Sequence, residues 1–169
     1  MDYFKKGNEA LLDKTKWGIL ASRATRPETT QKILDMIDTV NEVEETFISG
    51  WHSPIEKEIH FYLVHKTIDH IHAEAKGLPY VSCSLSGQDV LFLTHCGEEV
   101  RRIDRKHALK RNRLICELAD KLIIPWLDPN GDTYQMVREV CDRKPVLIFD
   151  TKANNSLLEA GAEPFEQGA

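Results

Sequence analysis

A doubly wound α/β fold, with a mostly parallel sheet in a three-layer α/β/α arrangement, is predicted by three features of the 169-residue chain. Short apolar runs alternate with segments whose apolar residues recur at helical spacing, from Trp17-Gly18-Ile19-Leu20-Ala21 to Pro145-Val146-Leu147-Ile148-Phe149. Several runs are apolar almost throughout, as in strands covered on both faces. Helix-capping residues follow the runs, most clearly in Ser53-Pro54-Ile55-Glu56. There Ser53 is an N-cap, Pro54 occupies the first helical position where its missing N–H costs nothing, and Glu56 completes a Ser-x-x-Glu capping box.

In chain order, Leu11 and Leu12 predict a short packing helix in an otherwise polar opening, and a first strand spans 17–22. Thr25-Arg26-Pro27-Glu28 is a second cap with proline in the first turn, and Ile33, Leu34, Ile37 and Val40 continue it at helical spacing. A second strand over 46–49, beside the first, ends at Ser49-Gly50. The helix from Ser53 either runs through Ile68, Ile71 and Ala75 to Gly77 or breaks near Thr67-Ile68-Asp69. Strands three and four fall at 79–83 and 89–94, with 84–88 as their loop. The stretch 101–113 carries Arg101, Arg102, Arg105, Lys106, Lys110, Arg111 and Arg113 against one acid, Asp104, and leads into a helix through Leu114, Ile115 and Leu118. A fifth strand at 121–126 ends in Asp128-Pro129-Asn130-Gly131-Asp132-Thr133, residues that favour turns. A helix through Tyr134, Val137 and Val140, a sixth strand at 145–149 and a short helix through Leu157 and Leu158 complete one domain over 1–162. Residues 163–169 read as a flexible tail.

The net charge of -5 argues against a surface committed to nucleic acid as a whole, so such an activity needs a local basic patch. No signal-peptide core and no membrane-length apolar run is present, and a cytoplasmic protein without a membrane partner is expected. Cys83, Cys96, Cys116 and Cys141 are widely spaced with no C-x-x-C pair, which fits reduced thiols. Exposed edge strands suggest a homodimer by analogy with similar sheets.

In an open parallel sheet the turns after the strands share one crevice, so ligand contacts are expected from Ser22, Arg23, Ser49, Gly50, Trp51, His52, Ser53, Arg101, Arg102, Asn112, Arg113, Gly131, Asp132 and Thr133. The helix start at Ser53 offers free backbone N–H groups and a positive dipole end, and Gly50 lets a ligand approach the backbone, while Glu56 brings a competing negative charge. Of the basic residues, Arg113 is expected to be fixed by its helix and Lys106 and Lys110 to be free in water. Trp51 and Trp126 either cap the core or stack on a base, core capping being favoured.

His60, His65, His70 and His72 show no His-x-x-x-His spacing with a third ligand and read as surface or packing residues; Asp69-x-x-His72 is at most a helical pair. His95-Cys96 has no orienting third group and does not read as a catalytic pair. No catalytic residue, metal or cofactor is expected.

Trp17-Gly18-Ile19-Leu20-Ala21-Ser22-Arg23, Phe47-Ile48-Ser49-Gly50 and Arg111-Asn112-Arg113-Leu114-Ile115-Cys116-Glu117-Leu118-Ala119-Asp120 occur in the order seen in the DNA-processing protein A (DprA/Smf) family, which the chain resembles over nearly its whole length. The turn 130–133 and Lys144-Pro145-Val146 complete the pattern. That family belongs to the SLOG group of Rossmann-like nucleotide-binding domains, which also holds phosphoribohydrolases. Where the family has Ser-Gly-x-Ala-x-Gly-Ile-Asp, this chain has Gly50-Trp51-His52-Ser53-Pro54-Ile55-Glu56, and the phosphoribohydrolase Pro-Gly-Gly-x-Gly-Thr-x-x-Glu is only echoed at 129–133, with Met136 in place of its glutamate. The resemblance implies a domain that binds a nucleotide, a nucleotide-derived small molecule or single-stranded DNA. The alternative it implies is hydrolysis of a nucleotide N-glycosidic bond, for which Glu56, Glu58 and Asp132 are the carboxylates near the right turns.

Overall fold

The computed structural model describes residues 2–23, 27–40, 44–81, 89–149, 152 and 154–165. Among them, eight strands form a single sheet: β1 (Phe4–Gly7), β2 (Thr15–Ile19), β3 (Glu45–Ser49), β4 (His70–Glu74), β5 (Val90–Thr94), β6 (Lys121–Ile124), β7 (Val146–Ile148) and β8 (Glu163–Pro164), in the spatial order β1-β5-β4-β3-β2-β6-β7-β8. All pairings are parallel except β1 with β5. Five α-helices, α1 (Pro27–Val40), α2 (Pro54–His65), α3 (Arg105–Leu118), α4 (Asp132–Arg138) and α5 (Asn155–Glu159), lie on its two faces, with 3-10 turns at Glu9–Leu12 and Leu78–Tyr80. The predicted doubly wound α/β architecture is therefore the observed one.

The period-2 alternation of side chains divides the core in two. Ile48, Ile71, Leu91, Leu122 and Ile124 point to one face, where Leu114 and Ile115 of α3, Tyr134 and Val137 of α4 and Leu157 of α5 cover them. Trp17, Ile19, Phe47 and Ile123 point to the other, beneath Ile33 and Ile37 of α1 and Ile55, Ile59 and Leu63 of α2. Gly18 lets the end of α3 pack closely on β2, since a Cβ there would stand 3.1 Å from Ile115 Cγ2 and 2.7 Å from Cβ of Ala119, the residue that caps α3.

Two expectations are corrected and one strand is new. The strand expected at 79–83 is displaced: Leu78–Tyr80 is a 3-10 turn, Val81 lies outside regular structure and 82–83 lie outside the described residues. The strand is β4, His70–Glu74, because α2 stops at His65 and Thr67 reverses the chain at φ 58°. Its alternation of His70 and His72 with Ile71 and Ala73 is strand-like, but histidine scores as polar and hides an apolar run. The tail expected from Glu163 instead pairs Glu163 and Pro164 with β7, and Phe165 stacks on Phe149 at 4.3 Å; residues 166–169 lie outside the described ones. The edge strand β1 was not expected at all, being short and exposed throughout. The Thr25 cap and the loop at 84–88 also fall outside the described residues.

Candidate functional site

The chain builds outward from β2 through β3, β4 and β5, then returns to place β6 on the other side of β2. This reversal is a topological switch point, where crevices open beyond the strands' carboxyl ends. A cleft of about 810 Å³ lies there. Leu20 to Arg23 follow β2, His52, Ser53, Glu56 and Lys57 come from the start of α2, Trp126 to Asp128 follow β6, Ala108, Arg111 and Asn112 come from α3, and Ile103 and Thr133 complete the wall.

Ser53 forms the expected capping box with Glu56. The Glu56 carboxylate does more than cap: its Oε1 accepts from the Ala21 backbone N–H at 3.0 Å, and its Oε2 accepts from the N–H groups of His52 at 2.8 Å and Ser53 at 3.1 Å. The donors expected to meet a ligand at this helix N-terminus are thus occupied by the protein's own anion. Glu56 is buried, and it ties the end of β2 to the start of α2.

Arg111 is the buried positive charge at the wall, where Arg23 and Lys57 are exposed. Only 7% exposed, it donates from Nε at 3.0 Å and from Nη2 at 2.8 Å to Asn112 Oδ1, while Asn112 Nδ2 donates to Thr133 Oγ1 at 2.8 Å. Burial lowers the Arg111 pKa, and the charges of Glu56 and Glu74 oppose that shift. The guanidinium lies against Gly50, where a Cβ would stand 2.6 Å from its Nε. Gly50 therefore admits an arginine side chain, and the ligand approach expected at that glycine is corrected.

Ser22, Arg23, His52, Ser53, Asn112 and Thr133 line the cleft as the sequence suggested. Ser22 Oγ accepts from the Asp128 N–H at 2.9 Å, joining the β2 and β6 ends. Burial, with the charges of Arg111, Lys57 and Lys76, pushes the His52 pKa down to about 4, so its imidazole is neutral at pH 7. The other candidates are placed elsewhere. Ser49 is buried with its Oγ accepting from the Trp51 N–H at 3.4 Å. Trp51, in the left-handed region at φ 54°, caps the core and donates from its indole to the Ile71 carbonyl at 3.2 Å. Arg101 donates to the Tyr80 hydroxyl at 3.0 Å and lies over that ring, and Arg102 is exposed outside the cleft. Gly131 is the N-cap residue of α4, and Asp132 pairs with Arg105 at 2.6 Å. Arg113 leaves α3 on another side, 3.8 Å from Glu139, in a smaller depression with Cys116 and Lys144.

Sequence reasoning chose Arg113 over Arg111, left Lys57 and Asp128 aside, and favoured a cap for Glu56 and core capping for Trp126, whereas all five of Arg111, Lys57, Asp128, Glu56 and Trp126 line the cleft. The signal for Arg111 was helix phase: it precedes Leu114 and Ile115 by three and four residues, which puts it on their inward stripe. Of the other constellations, Cys96 Sγ lies 3.5 Å from His95 Nε2, but the thiol is buried and burial raises its pKa, so it is no activated nucleophile. Among the histidines, the rings of His60, His70 and His72 are brought together, while His65 stays apart at the end of α2. Burial pushes the His60 pKa down to about 4 and that of His72 to about 2.

No family model and no curated protein matches the chain. Solved structures do. DNA processing protein A of Streptococcus pneumoniae matches with a TM-score of 0.80 at 20% identity, over 96% of this chain and 62% of that one, so the chain spans less than two thirds of that protein. DNA processing protein A of Helicobacter pylori, which binds single-stranded DNA, matches with a TM-score of 0.78 at 21% identity, over 96% of this chain and 80% of that one. The molybdenum cofactor binding protein of Rippkaea orientalis matches with a TM-score of 0.62 at 12% identity, over 90% of both chains. The chain has the fold of DNA processing protein A.

Proposed function

We propose that the cleft at the β2/β6 switch point binds a phosphate-bearing nucleotide unit, presented either as a nucleotide-derived small molecule or as part of single-stranded DNA. The observation that carries this reading is the guanidinium of Arg111, buried at the wall and already oriented by Asn112 and Thr133. A cation held in place engages a phosphate with little further loss of side-chain entropy, and guanidinium geometry allows two parallel hydrogen bonds. Arg23 and Lys57 add charge at the rim, and the cleft's volume falls within the range of small-ligand sites. The similar structures support both presentations, since one of those proteins binds single-stranded DNA and another a molybdenum cofactor.

A binding role is favoured over N-glycosidic hydrolysis by what the carboxylates are doing. Glu56 accepts from three backbone N–H groups, Asp132 pairs with Arg105, Glu58 does not line the cleft and Asp128 accepts from the Asn130 N–H at 3.0 Å. A general acid or base has to reach the reacting group with a proton to exchange.

Isothermal titration with a panel of nucleotides and short single-stranded oligonucleotides, alongside chromatography for released base, tests the proposal. Saturable binding at about 0.15 M salt that is lost in Arg111→Ala supports it. Binding that ignores Arg111, or release of free base, sinks it.

A further inference from the structure

Away from the cleft lining, three imidazoles converge between α2 and β4. His70 and His72 alternate on β4 and so share the face that α2 covers, and His60 reaches them from α2. His60 Nε2 lies 3.1 Å from His70 Nε2, which lies 3.1 Å from His72 Nε2, and the three donor atoms all fall within 4.8 Å of one another. Among the described residues no further histidine, cysteine or carboxylate joins the group.

Proton placement makes this arrangement awkward without a cation. His70 Nδ1 is 2.9 Å from the Ile68 carbonyl, which can only accept, so that nitrogen carries the proton and Nε2 of the neutral ring is a lone pair. Both neighbouring Nε2 atoms face that one lone pair. Either two N–H groups compete for it or two lone pairs oppose each other. One cation accepting all three lone pairs removes the conflict. For Zn–N distances of ~2.05 Å in a tetrahedron, neighbouring nitrogens stand about 3.3 Å apart, close to the two edges seen here.

The surroundings match what orients histidine ligands. The Ile68 carbonyl accepts from the far nitrogen of His70, and the Glu74 carboxylate, its Oε1 3.9 Å from His72 Nδ1, needs only a small shift to accept that nitrogen's N–H once Nε2 is committed. Trp51 stacks on the His60 ring at 5.3 Å and Phe92 lies against His72 at 4.7 Å, giving an apolar shell that fixes two of the rings. His70 and His72 are buried while His60 is half-buried, so one ligand stands at the solvent side.

We infer that His60, His70 and His72 form a binding site for a divalent transition-metal ion, Zn²⁺ before others, held by three neutral imidazoles with a fourth position for water or an outside ligand. Three nitrogen donors favour Zn²⁺, Co²⁺, Ni²⁺ or Cu²⁺ over the oxygen-seeking Mg²⁺ and Ca²⁺. This site is independent of the proposed nucleotide role, since none of the three histidines lines the cleft.

The test uses untagged chain stripped with a chelator at pH 7.5. Zinc is titrated in competition with a chromophoric chelator, Co²⁺ binding is followed by its visible d–d absorption, and unfolding is monitored thermally. One ion per chain, intense tetrahedral Co²⁺ bands and a rise in Tm of about 5–10 °C with zinc at about a hundred times its Kd are expected, with none from Mg²⁺. His60→Gln, the least buried substitution, is expected to weaken zinc by about a hundredfold or more, and Glu74→Gln by about tenfold through the orientation of His72. X-ray absorption on the zinc-loaded wild type is expected to count three imidazole nitrogens, a measurement that needs no variant to fold. No stoichiometric zinc, six-coordinate Co²⁺, a zinc site without imidazole, or wild-type affinity in His60→Gln overturns the inference.

Discussion

Gly50→Ala should disable the cleft by displacing Arg111, although Gly50 itself does not line it. A Cβ at this position would stand 2.6 Å from Arg111 Nε, 2.7 Å from Cζ and 3.0 Å from Cδ. Comfortable contacts lie near 3.5–4.0 Å, so the guanidinium has to retreat by about 1 Å. Gly50 is not among the positive-φ residues, so the alanine backbone itself is unstrained. That retreat takes the 3.0 and 2.8 Å hydrogen bonds to Asn112 out of range and leaves the charge without fixed orientation. Overpacking of this kind costs about 1–3 kcal/mol of stability. The lost charge-assisted contact to a ligand is worth about 1.5–3 kcal/mol, or roughly 10- to 150-fold in affinity. Fluorescence anisotropy with a labelled single-stranded oligonucleotide, and calorimetry with nucleotides, would measure it at about 0.15 M salt, where diffuse surface attraction is screened. Arg111→Ala should lose about as much, and the double variant no more than either alone, because both changes remove one interaction. Full affinity in Gly50→Ala, or losses that add in the double variant, would refute the assignment of Arg111.

Arg113→Ala should leave affinity within about twofold, since that guanidinium faces Glu139 and the exposed pair contributes under about 1 kcal/mol, as does the solvated Lys106; a tenfold loss would restore the residue chosen by sequence reasoning. Asn112→Ala removes the acceptor for two Arg111 donors and the donor to Thr133, and should lower affinity by about tenfold while Thr133→Ala costs less. Glu56→Ala leaves three backbone N–H groups without their acceptor and should cost about 2–4 kcal/mol in urea unfolding, an expectation that a loss below about 1 kcal/mol would contradict. Acid should destabilise the metal-free protein well before its carboxylates protonate. His95, half-buried, falls to about 4 in the folded state from 6.5, chiefly through burial. Between those values the unfolded chain binds more protons, so stability is complete above about pH 7 and falls as pH drops from 6.5 towards 4, with His60 and His72 acting in the same direction. Urea midpoints unchanged from pH 7 to 4.5 would show these rings to be solvated.

The sequence by itself determined what local chemistry controls. The apolar runs that begin at Trp17, Lys121 and Val146 mark strands, the first of them starting two residues earlier than its apolar stretch and ending at Ile19, and Ser53, Pro54 and Glu56 started α2 where capping demanded. The order of elements, together with the preference for covered parallel strands, was enough to place the ends of β2, β3 and β6 at one edge. What the tertiary structure alone decided depends on partners far apart in the chain. Strands β1 and β8 exist through pairing with β5 and β7, since their own residues are too few and too exposed to announce them. Strand β4 hid because two of its buried residues are histidines, and a ring counted as polar becomes a core residue only when another ring or a carbonyl meets its nitrogens. The choice of Arg111 over Arg113 turned on the rotation of α3 against the sheet, which spacing within the helix suggests but only the packed face settles. Glu56 is a cap in sequence, a carboxylate in a first turn, and only the parallel pairing of β3 with β2, which sets the start of α2 beside the end of β2, brought the Ala21 N–H within its reach and closed the expected anion site from inside.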